Sequence, residues 1–270
     1  MLIILAVVAG SLIGLSLGAL GGGGSILAVP VLVYLLGQSA AQATTGSLVV
    51  VGVTSVIGAV TAYRAGNVLV GRGVAFGVTA IGGAVVGGRV STLVPDTVLM
   101  GAFALLMVVV GGLMAWRQLR HPRRLADRPA LDDPIITFTP AFACACPRAL
   151  KVLVTATVVG LLTGFLGVGG GFLVVPSLIL ALALPIRYAT GTSLVVITIT
   201  STAALAVRAG SGASPAWNAV LMLTIVSALA AVAGARVATR VKSAHLSAAF
   251  TVLVLGVAAY TAVRSVPALL

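Results

Sequence analysis

Apolar residues run along this chain in long uninterrupted stretches. These runs lie at roughly 2–36, 43–63, 73–94, 98–116, 151–184, 189–207, 216–237 and 247–263. Most reach about 20 residues, the length that crosses a hydrocarbon core as a helix. No run alternates at period two, as a transmembrane barrel would, and helices satisfy their own backbone hydrogen bonds in lipid. The pattern predicts an all-α integral membrane protein.

One hydrophilic stretch divides the apolar runs into two sets. It carries basic residues from Arg117 to Lys151 and predicts a first membrane unit at 1–116, a basic cytoplasmic linker at 117–150 and a second membrane unit at 151–270. The first run lacks a Lys or Arg start. We therefore interpret segment 1–20 as a membrane helix rather than a signal peptide.

The two units share a residue pattern. Segment 14–32 reads GLSLGALGGGGSILAVPVL and segment 160–178 reads GLLTGFLGVGGGFLVVPSL, so 11 of 19 positions are identical at an offset of 146. ATTGSLVV at 43–50 matches ATGTSLVV at 189–196, and an Arg-Ala-Gly follows in each unit after a two-residue slip. Gly, Pro, Thr, Ser and Arg recur in one order, which predicts a duplication of about four apolar runs per half.

Composition narrows the class of protein. The chain is 60% hydrophobic and 7% charged, against about 25% charged residues in soluble domains. A net charge of +12 would suggest nucleic acid in a soluble protein. Here the basic residues lie between apolar runs without interleaved aromatics. We therefore exclude a nucleic-acid partner and expect the lipid bilayer to surround the protein. In a bacterium, this bilayer would be the inner membrane.

Glycine clusters interrupt the first run of each half. They are Gly22, Gly23 and Gly24, followed by Ser25, and Gly169, Gly170 and Gly171. They predict broken or re-entrant first segments, because glycine is poor in helices and lets the backbone approach a ligand. The backbone amides of such loops could bind an anion. The alternative is close packing of helices through glycine.

The broken segments leave two topologies open. If each first run crosses once, the halves are parallel, and Arg236, Arg240 and Lys242 lie outside, against the positive-inside tendency. If each run enters and returns, the halves are inverted and these cations lie inside. The piece at 26–37 is about 18 Å long as a helix, too short for a full span.

Polar candidates for substrate binding lie at equivalent places in the two halves. Their hydroxyls could donate to an oxyanion, or could cap helices and bond between them. These residues are Thr44, Thr45, Ser47, Thr190, Thr192 and Ser193. Arg64, Arg187 and Arg208 could attract an anion, or could be loop charges that reach the membrane surface.

Enzymatic chemistry is disfavoured. The chain has no Glu, and no apolar run contains an Asp or a His. A nucleophile with its base, or a metal with its ligands, therefore cannot be assembled within the membrane. Cys144 and Cys146 form a Cys-x-Cys in the linker, which is too few ligands for a metal site. We expect no enzyme activity, no cofactor and no metal.

The paired motifs resemble the TauE/SafE family of membrane proteins. Gly21–Pro30 and Gly167–Pro176 carry its GxGGG-x4-VP-type pattern, followed by A-T-x-x-S-L at 43–48 and 189–194. The resemblance implies a multi-helix exporter of sulfite, organosulfonates or related anions. It covers almost the whole chain, in both halves, and the site residues that it implies are limited to the Gly-rich and Thr/Ser segments. A channel-like pore, a non-transporting scaffold and a homo-oligomer remain open.

Overall fold

The computed structural model describes residues 2–120, 146–167, 171–182, 184–208, 215–241 and 243–265. These residues form long helices and two short broken segments, in the order expected from the apolar runs. The long helices are α1 (Leu2–Leu20), α3 (Ala40–Arg64), α4 (Val70–Ser91), α5 (Asp96–Arg120), α6 (Cys146–Leu166), α8 (Ile186–Arg208), α9 (Trp217–Arg240) and α10 (Ser243–Ser265). The short segments are α2 (Ser25–Pro30), which continues as a π-helical stretch (Val31–Leu35), and α7 (Gly171–Ala181).

The outer surface of the helices is apolar, as a membrane protein requires. Within the described ranges, five helices are long and apolar enough to cross a bilayer. Large aliphatic side chains such as Leu105, Leu229 and Val252 are exposed, while the buried positions include many hydroxyl residues. This distribution is expected where lipid, not water, is the surrounding solvent. The all-α integral membrane fold is confirmed.

The first apolar run of each half is broken where the glycines predict. α1 ends at Leu20, and Gly21 adopts a φ of 74°, a left-handed conformation that glycine reaches without a steric penalty. Gly24 then packs against Ile13 and Leu17 of α1, so the chain turns back along the helix it has just left. In the second half, α6 ends at Leu166 before a left-handed Gly167, with a φ of 63°.

The returning segments are too short to cross. The stretch Ser25–Leu35 and helix α7 each have 11 residues, about 16 Å at the rise of an α-helix. Pro30 lies inside the first of them, where its missing N–H coincides with the change from α to π geometry. A capping box then starts α3: Gln42 N donates to Ser39 Oγ, and Ser39 N donates to Gln42 Oε1, each at 3.3 Å.

Glycines set two close helix pairs. A Cβ on Gly83 would fall against the Thr157 carbonyl, and a Cβ on Gly160 against the Ala80 carbonyl, so the backbones of α4 and α6 touch. Gly14 and Gly18 have the same relation to Ser227 and Ala231, which joins α1 to α9. The first helix of each half therefore packs on the fourth helix of the other. For these glycines, close packing of helices is the role that the structure supports.

Neighbour contacts give the direction of each helix. Along α1 and α9 the contacting residues increase together, as they do along α4 and α6, so both pairs are parallel. Helices α3 and α8 cross antiparallel, since Ser55 Oγ lies 3.2 Å from Thr198 Oγ1 while Gly58 packs on Leu194. Equivalent helices that run in opposite directions are the arrangement of inverted halves. The duplication itself stays a prediction from the sequence.

Basic residues gather at one end of the bundle. Arg64 ends α3, Arg187 lies at the start of α8 and Arg236 lies near the end of α9, and all three border one cavity. We call this end the basic face. Thr44, Ser91 and Arg208 lie at the other end, the opposite face.

The positive-inside rule predicts that the basic face is cytoplasmic. A cysteine at Tyr63, 63% exposed at the basic face, should react with an impermeant maleimide in inverted vesicles only. A cysteine at Leu93, 83% exposed after α4, should react in intact cells only. Cys144 and Cys146 would be replaced by serine beforehand. The reverse pattern of labelling would show that the orientation is wrong.

Candidate functional site

A cavity of about 310 Å³ opens at the basic face. Arg64, Arg187 and Arg236 border it, and each of them is exposed. The remaining lining residues are small, polar or apolar, from α1, α3, α8, α9 and the α3–α4 connection: Gly18, Thr61, Ala62, Ala65, Asn67, Thr190, Gly191, Leu194, Ala235 and Ala238. No carboxylate is among them. The cavity therefore concentrates positive charge next to apolar walls, a setting that attracts small anions.

The inner wall of this cavity adjoins the first glycine loop. A Cβ on Gly21 would lie 2.6 Å from Ser193 Oγ and 2.7 Å from the Thr190 Cα, so the loop backbone packs directly on the start of α8. Thr190 also lines the cavity. The left-handed Gly21 thus contacts Thr190, a residue of the cavity wall.

The two glycine segments contact each other directly after Gly21. A Cβ on Gly22 would overlap the backbone of Gly171, and a Cβ on Gly171 would lie 2.7 Å from Ser25 Oγ. Ser25 Oγ itself donates to the Gly22 carbonyl at 2.7 Å. The two glycine segments therefore contact each other at Gly22, Ser25 and Gly171.

An equivalent contact lies nearer the opposite face. A Cβ on Gly167 would lie 2.4 Å from the Thr44 Cβ, and Ser47 Oγ donates to the Gly167 carbonyl. Gly167, Thr44 and Ser47 correspond to Gly21, Thr190 and Ser193 at the offset of 146. Both ends of the bundle therefore place a left-handed glycine against a Thr/Ser helix start.

Arg208 is buried at the opposite face, among hydrogen-bond acceptors from other helices. Its guanidinium donates to Thr44 Oγ1 at 2.6 Å, to Ser91 Oγ at 2.5 Å and to the Gly164 carbonyl at 3.1 Å. The Phe165 carbonyl accepts a longer bond of 3.4 Å. The side chain is only 4% exposed. Arg208 is therefore buried at this end of the bundle, whereas Arg64 and Arg187 are exposed.

The candidate hydroxyls bond mainly to their own helices. Thr44 and Thr45 each donate to the Ala41 carbonyl, Thr190 donates to that of Arg187, and Ser193 donates to that of Thr190. Such bonds to the preceding turn are common for Ser and Thr in helices. A hydroxyl has one proton. An anion at Thr190 would therefore receive its hydrogen bond only after the side chain rotates.

Other predicted residues lie away from the cavity. Thr192 Oγ1 accepts from Leu69 N at 3.0 Å and so supports the start of α4. Gly23 packs on Leu20 and Leu253, and Gly24 on α1. Gly169, Gly170 and Cys144 lie outside the described residues, as does the side chain of Cys146.

Sequence patterns do not identify Ser91 as a site residue, and they place Arg236 only near the end of an apolar run. Arg236 borders the cavity, and Ser91 holds Arg208. Arg236 lies in the weakest match between the halves, where Gly88-Arg89-Val90 aligns with Ala235-Arg236-Val237, and Ser91 follows directly after this match.

The comparisons with known proteins point to one family. The family "Sulfite exporter TauE/SafE" matches residues 6–261. A "Probable membrane transporter protein" of Xylella fastidiosa strain Temecula1 is 32% identical over 192 residues, 71% of this chain and 68% of that protein. One of the same name from strain 9a5c is 31% identical over the same shares.

No solved structure matches the chain. The family match nevertheless extends over both sets of helices and over the Gly-rich and Thr/Ser segments that form the two faces. The chain belongs to the TauE/SafE family and is a multi-pass membrane transporter.

Proposed function

We propose that the protein exports a small sulfur oxyanion, sulfite or an organosulfonate, from the cytoplasm. The observation that carries this proposal is the cavity bordered by Arg64, Arg187 and Arg236. Three guanidinium groups around about 310 Å³ suit an anion of a few heavy atoms. The sulfur chemistry comes from the name of the family.

The direction of transport follows from the charge distribution. With the basic face in the cytoplasm, the cavity collects anions from that side. A membrane potential that is negative inside favours movement of an anion outwards, by about 2.3 kcal/mol per charge for each 100 mV. Export of an anion therefore needs no coupled cation.

Beyond the cavity, the substrate would meet the loop at Gly21 to Gly24 and the Thr190–Ser193 helix start. Backbone amides and a rotated Thr190 hydroxyl supply hydrogen-bond donors without a fixed countercharge. Neutral donors suit a transporter, because they bind an anion without holding it as tightly as a buried ion pair.

Flux measurements in proteoliposomes test the proposal. Radiolabelled sulfite flux should saturate and show counterflow, with an organosulfonate as the competing substrate. Flux without saturation or counterflow would indicate a channel-like pore. The absence of flux for sulfite, sulfonates and a wider oxyanion panel would indicate a scaffold and refute the transport of these anions.

The cavity arginines give a sharper test. Arg187→Gln should raise the half-saturation concentration for sulfite about fivefold at low salt, because one charge a few ångströms away contributes on the order of 1 kcal/mol. The difference should shrink at high salt. Arg240→Gln is the matched control, since Arg240 is exposed at the basic face but does not line the cavity. Equal kinetics in both variants would remove the cavity from substrate binding.

A further inference from the structure

We infer that Arg208 closes the opposite end of the transport pathway in this conformation, and that Arg64 closes the basic face in a second conformation. The two arginines would thus act as alternating gates of one pathway. The inference rests on the transporter assignment and not on the identity of the anion.

The two faces are built from corresponding residues. Arg208 is held by Thr44, Ser91 and the Gly164 carbonyl. Near Arg64, Thr190 corresponds to Thr44 and Gly18 corresponds to Gly164 at the offset of 146. Ala238 corresponds to Ser91 when Arg89 is aligned with Arg236. Thr190, Gly18 and Ala238 all line the open cavity together with Arg64.

The difference between the two faces lies in the arginine itself. Arg208 is buried among its acceptors at the opposite face. Arg64 is exposed, and the space that corresponds to the Arg208 pocket is open. The residues around Arg208 are therefore in a closed arrangement, and the corresponding residues around Arg64 are in an open one. Alternating access by inverted halves requires such a pair of arrangements.

The acceptors around Arg208 allow it to leave. The two hydroxyls and two carbonyls named above are neutral oxygens. A carboxylate would form a stronger, charge-assisted pair. At the basic face, Thr190 Oγ1 and the Gly18 carbonyl could accept from Arg64 in the same way. The two closed forms thus share a threonine hydroxyl and a helix carbonyl as acceptors, whereas Ala238 offers no hydroxyl where Ser91 does. A substrate anion can favour one form over the other.

The crossing of α3 and α8 connects the two gates. Arg64 ends α3 and Arg208 ends α8, and the helices run antiparallel past each other. Small residues lie at the crossing: Ser55 faces Thr198, and a Cβ on Gly52 would lie 3.5 Å from the Ser201 Cβ. A change of angle at this crossing moves the two arginines at opposite ends of the bundle together, which makes the gates reciprocal.

Cysteine labelling tests reciprocity without knowledge of the substrate. In the full chain with Cys144 and Cys146 replaced by serine, Ser91→Cys reports on the opposite face and Ala238→Cys reports on the basic face. In an otherwise unchanged chain, an impermeant maleimide should label Ala238→Cys from the basic face and leave Ser91→Cys, which is 7% exposed as serine, nearly unlabelled.

Arg208→Ala should change both reporters in opposite directions. Labelling of Ser91→Cys should rise roughly tenfold or more, because hydrogen bonds to a charged group are lost. Labelling of Ala238→Cys should fall as the basic face closes. Arg64→Ala should do the reverse, holding Ala238→Cys reactive and Ser91→Cys protected, and should abolish counterflow. Arg240→Ala is the control and should alter neither reporter.

Two further variants guard against misfolding. Thr44→Val removes one acceptor of Arg208, and Thr190→Val removes the corresponding acceptor for Arg64, without changing charge. They should shift the two reporters in opposite directions, as the arginine variants do. If the Arg208 and Thr44 variants expose Ser91→Cys while Ala238→Cys stays unchanged, Arg208 is only a plug and the inference fails. Reciprocal labelling without sulfite flux would retain the gates and refute the proposed substrate.

Discussion

Replacing Gly22 with alanine is expected to abolish transport. The new Cβ would overlap the backbone carbon and oxygen of Gly171, where the two broken segments meet. Backbone atoms cannot turn aside as the end of a side chain can. Overpacking of this kind typically costs about 1–3 kcal/mol, and more where the backbone must move. We therefore expect flux in proteoliposomes to fall to background.

Two control variants distinguish the effect of this backbone contact from the effect of replacing any glycine with alanine. Gly112→Ala places its Cβ in open space on α5 and should leave flux unchanged. Gly23→Ala meets only the side chains of Leu20 and Leu253, at 3.1 and 3.3 Å, and should have a milder effect. Normal transport by a correctly inserted Gly22→Ala protein would mean that the meeting of the two loops has no part in the mechanism.

Replacing Gly83 with alanine is expected to give a large loss of stability. Its Cβ would fall on the Thr157 carbonyl and the Leu161 nitrogen, and would push α4 away from α6. A cost of about 3 kcal/mol lowers the melting temperature of a chain of this size by roughly 5–10 °C. Thermal unfolding of the detergent-purified protein, followed by intrinsic fluorescence or light scattering, measures the shift.

The adjacent glycine is the matched control. Gly82 lies on the same helix but points away from α6, and a Cβ there meets nothing within 4 Å. Gly82→Ala should be neutral or stabilising by up to about 1 kcal/mol, because alanine is the better helix former. Equal melting temperatures for the two variants would show that the α4–α6 pair is not held by backbone contact.

The sequence predicted the broken helices because glycine and proline act locally. Gly22 to Gly24 and Pro30 mark the break wherever the chain lies in the bundle. Whether the piece after the break crosses or returns depends on a contact between distant positions. That contact, Gly24 against Ile13 and Leu17, decides for return. No pattern of hydropathy contains this information, since both topologies bury the same apolar residues.

The functional side chains show the same division. Thr190 and Thr192 stand two residues apart and look equivalent in the motif, but a helical period of 3.6 turns them to different neighbours. Thr190 therefore lines the cavity, while Thr192 supports α4. Arg64 and Arg208 share an Arg-Ala-Gly pattern, yet one is exposed and the other is buried. The shared motif does not contain this difference in burial.

The exchange of partners between the halves has a consequence for synthesis. Helix α1 packs on α9, which begins at Trp217, so the ribosome must add about 200 residues before the first helix meets its neighbour. At 5–20 residues per second this takes roughly 10–40 s. During that time the glycine stripe of α1 faces lipid or the insertion machinery. Neither half completes its close helix pairs alone, so a nascent chain interrupted after α5 would leave two unpartnered helices for membrane quality control to remove.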